Sequence, residues 1–91
     1  MKLLVGLCEA LGTCLLVLSV LASGNWLVVG ATLAVVLWLI GDISGGHVNP
    51  VITLIMYMNG SFGAGKSVQY VAAQTIGGLA ALYLFRILGA M

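Results

Sequence analysis

The side chains able to do chemistry in this chain are few enough to weigh one by one. There is one Glu (Glu9), one Asp (Asp42), one His (His47), two Cys (Cys8 and Cys14) and three basic residues, Lys2, Lys66 and Arg86. General acid–base work needs titratable groups held within reach of one another, and a metal site needs several ligands at matched spacing. With no second imidazole to complete a site, His47 reads as a hydrogen-bonded structural residue rather than a proton shuttle or ligand. No enzyme, metal or cofactor is implied. Cys8 and Cys14 stand at i, i+6 in one apolar run, where a helix turns them about 240° apart, so they cannot bridge and read as small packing residues. The basic residues are scattered and make no stripe for a nucleic acid to follow. What remains is amide and backbone chemistry, concentrated in the polar stretch Ser44-Gly45-Gly46-His47-Val48-Asn49-Pro50.

The elements around that stretch follow from composition. Of 91 residues, 63% are apolar and 5% charged, at a mean hydropathy of +1.26. A soluble domain carries about a quarter charged residues, so lipid is the expected solvent. The first apolar run, 3–22, is long enough to span a bilayer. A signal peptide is the competing reading of a run behind Lys2, but Glu9 falls where a signal core is apolar. Ser23-Gly24-Asn25 reads as a turn, Trp26 as an interfacial anchor, and 26–43 as a second span. A third span covers 67–88. Small residues recur at i, i+4 in each span (Gly6, Ala10 and Cys14; Gly30 and Ala34; Ala73, Gly77 and Ala81), a pattern that lets helices approach closely.

Residues 44–58 break the pattern. Between the Gly-rich stretch and the polar loop 59–66 lies an apolar segment of only eight residues, 51–58. A helix from Pro50 to Met58 reaches roughly 13 Å, about half of a ~30 Å hydrocarbon core. Asn49 is a strong N-cap and Pro50 suits the first helical position. The expected fold is therefore an all-α membrane protein of three transmembrane helices plus one re-entrant half-helix, forming a single unit over 1–91. The half-helix places its partial positive end at depth, where irregular backbone is tolerated only if buried in protein or lining a wet cavity.

The segment SGGHVNPVITL closely resembles the first-half signature of the aquaporin and glycerol-facilitator family, usually Ser-Gly-x-His-x-Asn-Pro-Ala-x-Thr. The resemblance extends to Glu9-x-x-x-Thr13 in the first span and to Gln74 followed by Gly77 in the last. It implies one aquaporin-type half-repeat, where family members carry two. It also implies that Asn49 donates its amide hydrogens to a passing solute. Carbonyls of Gly45, Gly46, His47 and Val48 would line the pore beside Pro50, Val51 and Ile52. His47, Glu9 and Gln74 would support the loop from behind, although Glu9 could instead snorkel to the surface. Two departures stand out: Val51 replaces the Ala of the signature, and the unit is single.

By the same resemblance, Ile52 stands where second halves usually carry an Arg, and Val29 where a bulky aromatic is frequent. A pore built from two such units would be wide and apolar, passing water and small neutral solutes such as glycerol while excluding protons and ions. Asp42 is expected to face the vestibule or to pair locally, and Trp38 and Tyr57 to face lipid or pack. Three spans place the termini on opposite sides, so two copies make an inverted repeat only in opposite orientations. Lys2 and Lys66 on one side against Arg86 on the other leave the positive-inside bias nearly undecided. The expected assembly is an antiparallel homodimer, with four pores (eight chains) in a family-like tetramer in the plasma or cytoplasmic membrane. Two other readings stay open: a half needing a different partner half, or an inactive fragment; and a small dual-topology proton-coupled exporter using Glu9.

Overall fold

In hydrocarbon, backbone amides must be satisfied within a helix or a closed barrel, and the apolar runs of this chain take the first route. The computed structural model describes residues 1–90 as α1 (Leu3–Ala22), α2 (Trp26–Ser44), α3 (Pro50–Met58) and α4 (Ala64–Ala90). Three of these, α1, α2 and α4, are long and apolar enough to cross a membrane. The nine-residue α3 is not, and forms the half-helix. The long axis of 43 Å matches a bilayer of about 40–45 Å including headgroups.

Local chemistry sets each boundary. Gly24 turns the chain at φ +58°, and Asn25 Oδ1 then caps α2 by accepting from the Leu27 and Val28 amides at 2.9 and 3.2 Å. Gly45, at φ +90°, closes α2 one residue beyond the sequence expectation. The start of α4 is a correction: it begins at Ala64, so Ala64, Gly65 and Lys66 form its first turn and not a loop. The Gly63 carbonyl accepts from both the amide and the hydroxyl of Ser67 (3.0 and 2.8 Å). The Lys66 ammonium, which looked like loop polarity, rests 4.6 Å from the Phe62 ring centroid.

The helices stack in the order α2, α1, α4, α3, with α1 in the middle and α3 resting on α4. The buried face of α4 carries Tyr70, Ala73, Gln74, Gly77 and Ala81, residues that recur with helical spacing. At Gly77 the backbones of α1 and α4 meet so closely that a Cβ would run into the Ala10 carbonyl. On its other side α1 opens a notch at Gly12 that receives Val36, Ile40 and Val48 side chains. The small-residue stripe expected on α2 does not take part: Gly30 and Ala34 are exposed, and nothing lies within 4 Å of a Cβ built on Gly30. The close approach uses the glycine of α1 instead, because the larger side chains of α2 need a hollow to fill.

Gly77→Val is expected to force α1 and α4 apart. The obstacle is backbone, which cannot swing aside, so the cost falls at the upper end of overpacking, about 3 kcal/mol. Reversible unfolding in mixed detergent micelles, followed by circular dichroism, measures it. Gly30→Val is the control and should change stability little.

Candidate functional site

The centre of the molecule is a carboxylate with no access to solvent. Glu9, on α1, is fully buried. Each of its oxygens accepts two hydrogen bonds. Oε2 takes the Ser44 hydroxyl at 2.7 Å and the His47 amide at 3.2 Å. Oε1 takes the Val48 amide at 2.9 Å and the Gln74 side-chain amide at 2.9 Å. All four are donors and a carboxylate is acceptor-only, so the match is complete. Glu9 thereby ties the end of α2, the loop and α4 to α1.

Further bonds brace the loop from the side of α4. The Ser44 hydroxyl accepts from the Gly46 amide at 3.2 Å, and its carbonyl accepts from the Tyr70 hydroxyl at 2.6 Å. His47 Nδ1 lies 2.8 Å from Thr53 Oγ1, which also accepts from Gln74 Nε2 at 3.0 Å. The His47 ring packs against Phe62 and Tyr70, with centroids 4.7 and 5.0 Å away. Thr13 is buried, but its hydroxyl has no partner among the described residues.

Held this way, the loop adopts a conformation its sequence resists. Gly45 and Gly46 have positive φ, which glycine tolerates, but Val48 sits at φ +45°. For a β-branched residue that is a strained state, worth about 1–3 kcal/mol. Its amide bond to Glu9 and its side chain in the Gly12 notch hold it there. Among the described residues, no hydrogen-bond donor reaches the carbonyls of Gly45, Gly46, His47 or Val48. Asn49 follows with its Oδ1 committed to the Val51 amide at 2.8 Å. That bond fixes the amide plane and leaves Nδ2 exposed as a donor. The site thus joins four carbonyls that have no donor among the described residues to the exposed Asn49, at the partially positive start of α3.

The residues singled out in the sequence are partly united. Glu9, His47 and Gln74 meet in one buried cluster, and Asn49, Pro50, Val51 and Ile52 lie together on the exposed start of α3. Val29 is not brought to them. It lies near the start of α2, 15 residues before that helix ends, or about 22 Å along its axis. The sequence reading missed Ser44, Thr53, Phe62 and Tyr70. The i, i+4 pairing of Tyr70 with Gln74, and a lone Thr inside the apolar half-helix, were the available signals.

The family model for major intrinsic proteins matches residues 3–90. The chain belongs to the major intrinsic protein family. Aquaporin Z of Photorhabdus laumondii is 38% identical over 58 residues, covering 64% of this chain and 25% of that protein. Aquaglyceroporin AqpS of Rhizobium meliloti is 34% identical over 88 residues, covering 79% and 38%. Glycerol uptake facilitator protein-like 6 of Lactiplantibacillus plantarum is 36% identical over 84 residues, covering 82% and 39%. The chain therefore spans between a quarter and two fifths of the length of these relatives. No solved structure gives a significant match. As a major intrinsic protein with three apolar crossing helices, it is an integral membrane protein.

In this member of the major intrinsic proteins, Glu9→Gln would turn one acceptor into an NH₂ group facing donors. The expected cost is about 2–3 kcal/mol, since two of the four donors lose their acceptor in a buried site. Hydrogen exchange localises the effect: the His47 and Val48 amides should exchange at least tenfold faster, while those of mid-α2 stay protected.

Proposed function

We propose that this unit forms one half of a passive pore for water and small neutral solutes such as glycerol. The observation that carries the reading is that the successive carbonyls of Gly45 to Val48 have no hydrogen-bond donor among the described residues and are followed directly by the exposed Asn49. A bare carbonyl facing hydrocarbon costs several kcal/mol, so these groups require water or protein beside them. A file of water satisfies both ends of the arrangement, accepting from Asn49 and donating to the carbonyls. The positive start of α3 opposes cations and protons at the same point, as in aquaporin-type pores. The names of the relatives, among them an aquaporin and a glycerol uptake facilitator, support the same class of conduit. No catalytic step or cofactor enters this reading.

A second half-unit in inverted orientation completes the pore, and a second copy of this chain is our choice for it. Lys2 and Lys66 lie at one end of the bundle and Arg86 near the other, so charge gives little preference for either orientation. Four such pores would make a family-like tetramer of eight chains. Val51 and Ile52, 61% and 47% exposed, present an apolar wall beside Asn49, which suits a neutral solute. An exporter cycling protons on Glu9 fits poorly, because both carboxylate oxygens are already filled by donors.

Proteoliposomes containing only this chain should shrink in stopped-flow measurements several times faster than empty vesicles, without collapsing a pH gradient. Asn49→Asp should return the rate to the empty-vesicle level. A rate equal to empty vesicles for the unaltered chain would defeat the self-sufficient pore. Restoration by a co-reconstituted family half would then point to a different partner. Ile52→Phe is expected to lower glycerol entry more than water flow. Tags at both ends should each be reachable from both sides of the membrane, and one fixed orientation would sink the homodimer.

A further inference from the structure

Two of the three basic side chains lie 64 positions apart in the sequence, yet both line one cleft. Lys2, just before α1, and Lys66, in the first turn of α4, border an open cleft of about 930 Å³ together with Gln69, Leu4, Val5 and Ile43. Ile43 belongs to the last turn of α2, so the cleft lies where one end of α1, α2 and α4 comes together. That end of three crossing helices is at the level of the lipid headgroups. No acidic side chain lines the cleft. Neither α1 nor α4 has an acidic residue in its first turn, so their two starts add positive potential there, set against the one negative end of α2, whose last turn carries Asp42.

We propose that this cleft binds the headgroup of an anionic phospholipid. The polar rim of Lys2, Lys66 and Gln69 supplies two cations and an amide for a phosphate and its substituents. Leu4, Val5 and Ile43 supply an apolar wall along which the acyl chains continue. This combination of headgroup donors beside an open hydrocarbon wall selects a lipid over a free anion, which would leave the wall uncovered. Lys66 is also held against the Phe62 ring at 4.6 Å. Its ammonium is therefore ordered before a ligand arrives, which lowers the entropy cost of binding. The inference does not require that two copies close a pore.

The attraction of one juxtamembrane lysine for an anionic lipid amounts to about a fivefold preference, and two amount to about twenty-five-fold. Native mass spectrometry of the detergent-solubilised chain, offered equal phosphatidylglycerol and phosphatidylcholine, reads this ratio directly. The unaltered chain should retain phosphatidylglycerol about twenty-five-fold over phosphatidylcholine. Lys2→Gln and Lys66→Gln should each cost about fivefold, and the double variant should bind the two lipids alike. The Lys2→Arg, Lys66→Arg pair should keep the preference, which separates loss of charge from loss of fold. Arg86→Gln should leave it unchanged. The proposal is overturned if the double Gln variant keeps the preference, if Arg86→Gln removes as much of it, or if millimolar inorganic phosphate displaces the lipid.

Discussion

Everything that gives this chain a site depends on a single buried carboxylate. Glu9 lies among apolar residues on the central helix, where an unpaired charge would be prohibitively costly. It is tolerated because four donors from three other parts of the chain converge on it. The dependence runs both ways. Without Glu9 the amides of His47 and Val48 would be stranded at depth, and without those amides α1 could not carry an acid in its core. The positive φ of Val48 is the visible strain in this arrangement, offset by the network that surrounds it. The amides of Gly46, His47 and Val48 are all used in holding the loop, whereas their carbonyls have no donor among the described residues.

The surface of the chain divides into two chemistries. Trp26 and Trp38, both 81% exposed, and the outward leucines and valines of α1 and α2 meet hydrocarbon at no cost. The start of α3 is different. It presents apolar Val51 and Ile52 next to polar groups that hydrocarbon cannot satisfy. A half-helix reaches only part of the way across the membrane, so the space beyond its polar end has to be occupied by protein or water. An inverted half-unit would fill that space with the same element approaching from the opposite face.

The amount of this that sequence reveals differs sharply between fold and site. Spans and half-helix are legible because hydrocarbon thickness converts directly into residue number, and a nine-residue α3 cannot be mistaken for a crossing. Asn49 and Pro50 mark its start by capping chemistry alone. The start of α4 is misplaced in the sequence because the glycines and Lys66 of Gly63-Ala64-Gly65-Lys66 read as a loop, while the Lys66 ammonium is taken up by the Phe62 ring four residues earlier. Helix faces were the hardest to read. In helices apolar all round, periodicity does not say which side meets a neighbour, so Gly30 looked as suited to close packing as Gly77. Glu9, His47 and Gln74 were drawn together by resemblance, whereas Ser44, Thr53 and Tyr70 needed the third dimension.

The order of packing also differs from the order of synthesis. α3 rests on α4, which follows it in the chain, and Gln74 and Tyr70 reach the cluster around the loop from that same helix. The Ser44, His47 and Val48 donors can reach Glu9 without α4, but the Gln74 and Tyr70 bonds come only with that helix. The re-entrant segment therefore has its full set of hydrogen bonds only once a helix that follows it in the chain has docked.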